Sequence, residues 1–205
     1  MRQIPLPLGS RSGSSPSRIV VGSANAHVLD AFAHASEWPF RTAVLSGPPG
    51  SGKSLMAQWF AQSGLGDVID DASSCDEAEL FHRWNRAQES GRPLLLVANA
   101  TEGGWIVSLP DLRSRLGAAL HLEIGLPDDE MTADLLTLYA EQRGLTLGAD
   151  AAAYLVPRAE RSHIGLERLV AAIDRLSLER KQAATLTIWR DALAELNEGQ
   201  AQALR

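Results

Sequence analysis

Eight consecutive residues, Gly47-Pro48-Pro49-Gly50-Ser51-Gly52-Lys53-Ser54, constrain this chain more than any other stretch. They fit the G-x-x-x-x-G-K-[ST] phosphate-binding pattern at every fixed position, and that pattern works only between a strand and a helix. Both flanks comply. The apolar run Ala43-Val44-Leu45 precedes it, and Leu55, Met56, Trp59 and Phe60 follow at the spacing of one helical face. Gly50 and Gly52 let successive backbone N–H groups turn toward phosphate oxygens, and the helix adds the positive end of its dipole. Lys53 is placed to hold the outer phosphates, and the Ser54 hydroxyl to ligate Mg²⁺. The expectation is ADP or ATP with Mg²⁺, held by Gly47, Pro48, Pro49, Gly50, Ser51, Gly52, Lys53, Ser54 and Leu55.

Further along, chemistry-bearing residues recur at the ends of apolar runs. Asp67-Val68-Ile69-Asp70-Asp71 reads as a short strand delivering two carboxylates. Asp70 then holds the metal through water, and Asp71 polarises the attacking water. Leu94-Leu95-Leu96-Val97-Ala98 is continuously apolar, as a central parallel strand covered on both faces must be. Asn99 follows it directly and is the candidate sensor of the terminal phosphate, with Thr101 as the alternative. Between these strands, Ser74-Cys75-Asp76-Glu77 reads as a capping box opening a helix whose apolar stripe is Leu80, Phe81, Trp84 and Ala87. Leu109 to Leu116 predicts a short helix carrying Arg113 and Arg115, and Ala119 to Leu126 a last strand.

From Pro127 onward only helical periodicity remains, with helices expected from an Asp128 cap to Gly144, near 150–156, from Ser162, and 188–196. Upstream of the phosphate loop, Ile19-Val20-Val21-Gly22 starts ordered structure, and Val20 and Val21 are placed near the base. The first 18 residues divide into the apolar Gln3-Ile4-Pro5-Leu6-Pro7-Leu8 and a Ser/Gly-rich tether. The boundaries are therefore 1–18 for a flexible tail, 19–126 for a nucleotide-binding α/β part and 127–205 for a helical lid.

Bulk properties exclude more than they assign. With a formal charge of -6 the chain lacks the basic balance of a stand-alone nucleic-acid binder, so any DNA contact is indirect or weak. A single cysteine, Cys75, leaves no internal disulfide and fits a reducing compartment. No apolar run approaches the roughly 20 residues of a membrane span. The expected location is the cytoplasm.

Taken together, strand, phosphate loop, acid-tipped strand, polar-tipped strand, arginine helix and helical lid resemble an AAA+ ATPase of the DnaA-related group, most closely the Hda family, over nearly the whole chain. Three features carry the resemblance: Val20-Val21-Gly22 with Asn25, the Leu109-Pro110-Asp111-Leu112-Arg113-Ser114-Arg115-Leu116 segment, and Gln3 to Leu8. It implies an α/β P-loop fold followed by a small all-α lid. The interval between the phosphate-loop helix and Asp70 is too short for the usual extra strand and helix, which reduces the parallel sheet to about four strands.

The resemblance also implies partners. Gln3, Ile4, Pro5, Leu6, Pro7 and Leu8 resemble a peptide that docks on the DNA polymerase sliding clamp, and Arg115 aligns with an arginine finger acting on ATP held by DnaA. A negative regulator of replication initiation follows. Helicase-loader-like ATPases working as homo-oligomers and a clamp–DnaA scaffold without stimulation are the alternatives. One departure bears on the chain's own hydrolysis, expected to be weak. Ile164 stands where the family places a lid arginine, with Arg161 and Arg168 near it; Arg168 is the lid's nucleotide-binding candidate. The DNA-binding helix-turn-helix of DnaA is not matched.

Overall fold

The computed structural model describes residues 2–5, 18–99 and 105–203. It enters through a two-stranded antiparallel ribbon, β1 (Arg2–Pro5) on β2 (Arg18–Val21), registered Gln3 to Val20 and Ile4 to Ile19. Within the segment read as a tail, residues 2–5 are thus extended against β2. The β-branched Ile19-Val20-Val21 run offers a backbone edge, and an extended segment nearby in the chain takes it. Pro5, which has no N–H, ends the strand, where a missing donor costs least. Leu6, Pro7 and Leu8 lie outside the described residues.

The chain divides after Leu126 into two compact units. In the first, β3 (Thr42–Ser46), β4 (Asp67–Ile69), β5 (Leu94–Val97) and β6 (Leu120–Glu123) form a parallel sheet of four strands in the order β4-β5-β3-β6. Four strands agree with the shortened sheet expected from the interval before Asp70. Side chains alternate between the faces, as the period of two demands. Ala43, Leu45, Leu95 and Val97 enter a core with Phe32, Met56 and Phe60, while Val44, Leu94 and Leu96 enter another with Leu80, Trp84, Leu112 and Leu116. Accordingly α1 (Ala26–Ala33) and α2 (Lys53–Gln62) cover one face, and α3 (Glu77–Ser90) and α4 (Pro110–Gly117) the other.

On the first face the Phe60 ring meets Phe32 edge-on at 4.9 Å and stacks on Trp38 at 5.4 Å. Such pairs contribute roughly 0.5–1.5 kcal/mol each beyond area burial. The α3 start differs from the expected capping box. Asp76 is the N-cap, accepting from the N–H groups of Ala78 and Glu79 at 3.0 Å, and Ser74 belongs to a preceding 3-10 turn. Glu77 turns away from its own helix to accept from the N–H groups of Ser108 and Leu109 at 2.8 and 2.6 Å. A carboxylate serves well there, because the first N–H groups of α4 need acceptors.

The second unit, Pro127–Arg205, is helical among its described residues. Asp128 caps α5 (Asp129–Gln142) through the Met131 N–H; α6 (Ala149–Leu155) follows; Ser162 caps α7 (His163–Arg180) through the Gly165 N–H. Leu166, Leu169, Val170, Ile173 and Leu176 are buried along α7, which packs on both α5 and α8 (Leu186–Ala203). That last helix is longer than expected: apolar periodicity fades after Leu196, while Ala, Gln and Glu keep helical propensity high. Among the described residues, no helix is long and apolar enough to cross a membrane.

His163, the first residue of α7, faces Tyr139, with Nδ1 3.3 Å from the phenol oxygen. Its Nε2 is buried without a hydrogen-bond partner among the described residues. Burial pushes the imidazole down to about 4, and burial together with Glu167 pushes Tyr139 up to about 12. A histidine whose folded value lies below its unfolded value stabilises fully above the unfolded value and loses that contribution as pH falls. Between pH 7 and pH 5 this predicts a loss of about 2 kcal/mol for the wild type relative to His163→Phe. Denaturant unfolding of both proteins at the two pH values checks it, and parallel curves would remove His163 as the cause.

Candidate functional site

The carboxyl ends of the parallel strands set the site, as in open α/β sheets generally. Strand β3 runs into the phosphate loop, and two of its glycines are required by geometry. Gly52 precedes α2 with φ of 88°, in the left-handed region. A Cβ on Gly47 would stand 2.8 Å from the Ile124 carbonyl oxygen, so the loop lies directly against the end of β6. Gly50 also has positive φ, while Pro48 is half-buried and Pro49 exposed. Ser51 is 4% exposed, its hydroxyl without a partner among the described residues. Leu55, half-buried, packs on the core below the loop.

Lys53 is 5% exposed, and its ammonium donates to the carbonyls of Gly47 and Pro48 at 2.9 Å each. Burial lowers its pKa, opposed by the charge of Asp70. The cation is thus gathered inside its own loop.

At the edge of the site, the Ser54 hydroxyl donates to Asp70 Oδ1 at 3.2 Å. A hydroxyl beside a carboxylate fits Mg²⁺, which takes one or two protein ligands and completes its octahedron with phosphate oxygens and water. Asp71 sits next, with φ of 51°, and the Asn99 amide donates to its Oδ1 at 2.6 Å. Ser73, which the sequence reading passed over, donates to the same oxygen at 3.5 Å and accepts from the Asn99 N–H. The two strand ends are therefore tied through one carboxylate. Thr101 lies outside the described residues.

Val20 is 4% exposed and Val21 half-buried against the first-face core. Asn25, 2% exposed, holds this segment: its amide donates to the Val20 carbonyl at 2.9 Å, and its oxygen accepts from the Gly22 N–H at 3.0 Å. The Val-Val-Gly-x-x-Asn pattern is thereby explained as a local brace.

Arg115 is half-buried on α4, and its guanidinium carbon lies 4.3 Å from the ring centroids of both Phe81 and Trp84. Nη1 donates to Asn85 Oδ1. Phe81 and Trp84, read from spacing as core, therefore also form a slot for a cation. Each such contact is worth about 0.5–2 kcal/mol, depending on desolvation. The available signal was an aromatic pair three residues apart preceding an arginine-bearing helix; apolar stripes share that spacing. In the helical unit Ile164 is half-buried, Arg161 pairs with Asp129, and Arg168 is exposed beside Arg158 and Glu160 at a cleft.

A family model described as "Hda, lid domain" matches residues 129–193. An uncharacterized protein of Haemophilus influenzae is 31% identical over 178 residues, covering 80% of this chain and 74% of its own length. Among solved structures, domain III of the Thermotoga maritima replication initiation protein DnaA superposes with a TM-score of 0.71 at 16% identity, over 86% of this chain and 94% of that one. AMPPCP-bound DnaA from Aquifex aeolicus gives a TM-score of 0.61 at 17% identity, over 80% and 66%.

Proposed function

The chain belongs to the Hda-like, DnaA-related AAA+ proteins, and from that premise we propose that it restrains replication initiation by promoting hydrolysis of ATP held by DnaA. The observation that carries the reading is the arginine of α4: a guanidinium held in a defined place on the outer layer of an ATPase module. Arg115 acts on a neighbour's nucleotide. As water attacks the γ-phosphorus and the bond to ADP breaks, the guanidinium stabilises the spreading negative charge and leaves DnaA with ADP.

The chain's own loop holds ADP or ATP, with Lys53 on the phosphates, Ser54 and Asp70 toward Mg²⁺, and Val20 and Val21 toward the base. Adenine is the choice because a DnaA of like fold carries AMPPCP. The nucleotide fixes the module's shape and its own turnover is slow, since Ile164 supplies no lid cation. Residues Gln3 to Leu8 dock the protein on the sliding clamp, which raises its effective concentration near DnaA. These assignments set the cellular location at the nucleoid.

A second reading, an independent ATPase turning over in homo-oligomers, is favoured by the Asp71–Asn99 contact and the Ser54–Asp70 pair, which assemble the parts of a hydrolytic site. One experiment separates the two. Hydrolysis of DnaA-bound ATP is followed with clamp loaded on DNA, with the wild type and with a chain lacking residues 1–8. Stimulation that requires both clamp and N-terminus supports the regulator. Turnover without DnaA, insensitive to the clamp, supports the independent ATPase.

A further inference from the structure

We infer that Phe40 is a docking anchor for the neighbour whose nucleotide Arg115 meets; the inference rests on the role proposed for Arg115. Phe40 is the middle residue of the Pro39–Arg41 turn that leads into β3, and it is 56% exposed. Apolar side chains scattered singly over a surface are ordinary. This one is held there against the preference of its backbone. Phe40 and Arg41 both have φ of 48°, two adjacent left-handed residues, where a bulky side chain is strained and glycine or asparagine is the usual occupant. Such strain persists only where the surroundings fix it. The Phe40 carbonyl accepts from Gln88 Nε2 at 2.6 Å and from the Thr42 hydroxyl at 2.9 Å, the Arg41 N–H donates to the Trp38 carbonyl at 2.8 Å, and the Arg41 guanidinium donates to the Gly91 carbonyl. None of these bonds uses the Phe40 ring. The local fold accounts for the backbone and leaves the exposed phenyl to serve something else.

Position supplies the partner. The Phe40 ring centroid lies 6.4 Å from that of Trp84, and the Arg115 guanidinium carbon lies 4.3 Å from a Trp84 ring centroid. Phe40 and Arg115 therefore stand one ring apart, within the same compact unit. A phosphate reaches the half-buried Arg115 only when the molecule carrying it closes over the surrounding surface, and a stable protein contact covers about 800 Å² on each side. A patch of that size centred on Arg115 takes in Phe40. Truncation costs most at aromatic anchors that a partner desolvates, so the ring sits where docking gains most from one. The division of labour follows: Arg115 acts on the bond that breaks, and Phe40 keeps the neighbour seated while it does.

The test uses the full chain with its nucleotide, DnaA-bound ATP and clamp-loaded DNA, titrated to saturation with each variant. Phe40→Asn removes the ring and supplies a residue that tolerates the left-handed backbone. It is expected to raise half-saturation about tenfold and leave the saturating rate within about twofold, the reverse of Arg115→Ala, which acts on the rate. Its thermal unfolding midpoint should equal or exceed that of the wild type, because strain is relieved. Phe40→Tyr, which keeps the ring, restores half-saturation. Phe40→Gly, freer still at this φ, gives the same pattern if Phe40→Asn folds poorly. Half-saturation within about twofold of wild type in both ring-less variants, with Arg115→Ala inactive, would overturn the anchor and leave the proposed function standing. Arg115→Ala at the wild-type saturating rate would overturn the proposed function and the anchor with it.

Discussion

Replacing Arg115 by alanine is expected to lower the stimulated hydrolysis of DnaA-bound ATP by about 10³-fold or more, the range attributed to arginine fingers supplied in trans. The fold should survive the change. Arg115 contributes two ring contacts and one hydrogen bond at a half-buried position, so its loss costs roughly 1–3 kcal/mol of stability and leaves the apolar core of that face, with Leu112 and Leu116, in place. Nucleotide binding by the variant should be unchanged, because among the described residues the Lys53 and Ser54 side chains bond to Gly47, Pro48 and Asp70 and not to α4. The measurement is single-turnover decay of labelled ATP on DnaA, with thermal unfolding and nucleotide titration alongside. A rate unchanged while the unfolding midpoint falls would assign Arg115 to structure alone. Arg115→Lys should behave nearly as poorly as alanine, since a compact ammonium neither fills the slot between the rings nor offers a planar donor edge.

The second large effect is expected at Lys53. Lys53→Met should weaken the protein's own binding of ADP or ATP roughly 30- to 150-fold, equivalent to about 2–3 kcal/mol for lost charge-assisted contacts. The resting contacts sharpen the prediction. The ammonium satisfies the Gly47 and Pro48 carbonyls, so methionine strands two loop acceptors as well as removing a cation. Methionine should therefore lower the unfolding midpoint even without nucleotide. Calorimetric titration gives the affinity and thermal unfolding of the free protein gives the loop term. Wild-type affinity would remove this loop from the nucleotide site.

How much could be read in advance depended on the range of each interaction. The phosphate loop, the acid-tipped strand and the four-stranded sheet were legible because each rests on neighbours in sequence or on a chain length too short to hold more. Glu77 was misread for the opposite reason. A Ser-x-x-Glu spacing promises a reciprocal cap, yet the carboxylate is claimed by N–H groups about 30 residues away, and Asp76 caps instead. Phe81 and Trp84 carried the right spacing for core and serve partly as a cation slot, since periodicity records that a face is covered and not what covers it. The Asn25 brace was visible only as a pattern; its two hydrogen bonds supply the cause.

The ribbon of β1 and β2 has a consequence for any partner that reads Gln3 to Pro5 as an extended peptide. The same backbone groups cannot serve two edges at once. A partner that needs the groups paired with β2 binds only molecules whose ribbon has parted, so the apparent dissociation constant is the intrinsic one divided by the parted fraction, about tenfold weaker for each 1.4 kcal/mol that favours the closed ribbon. Linkage makes this reciprocal. Docking bares the edge of β2, the strand braced by Asn25, and a ligand that stiffens β2 shifts the grip of the N-terminus from a distance.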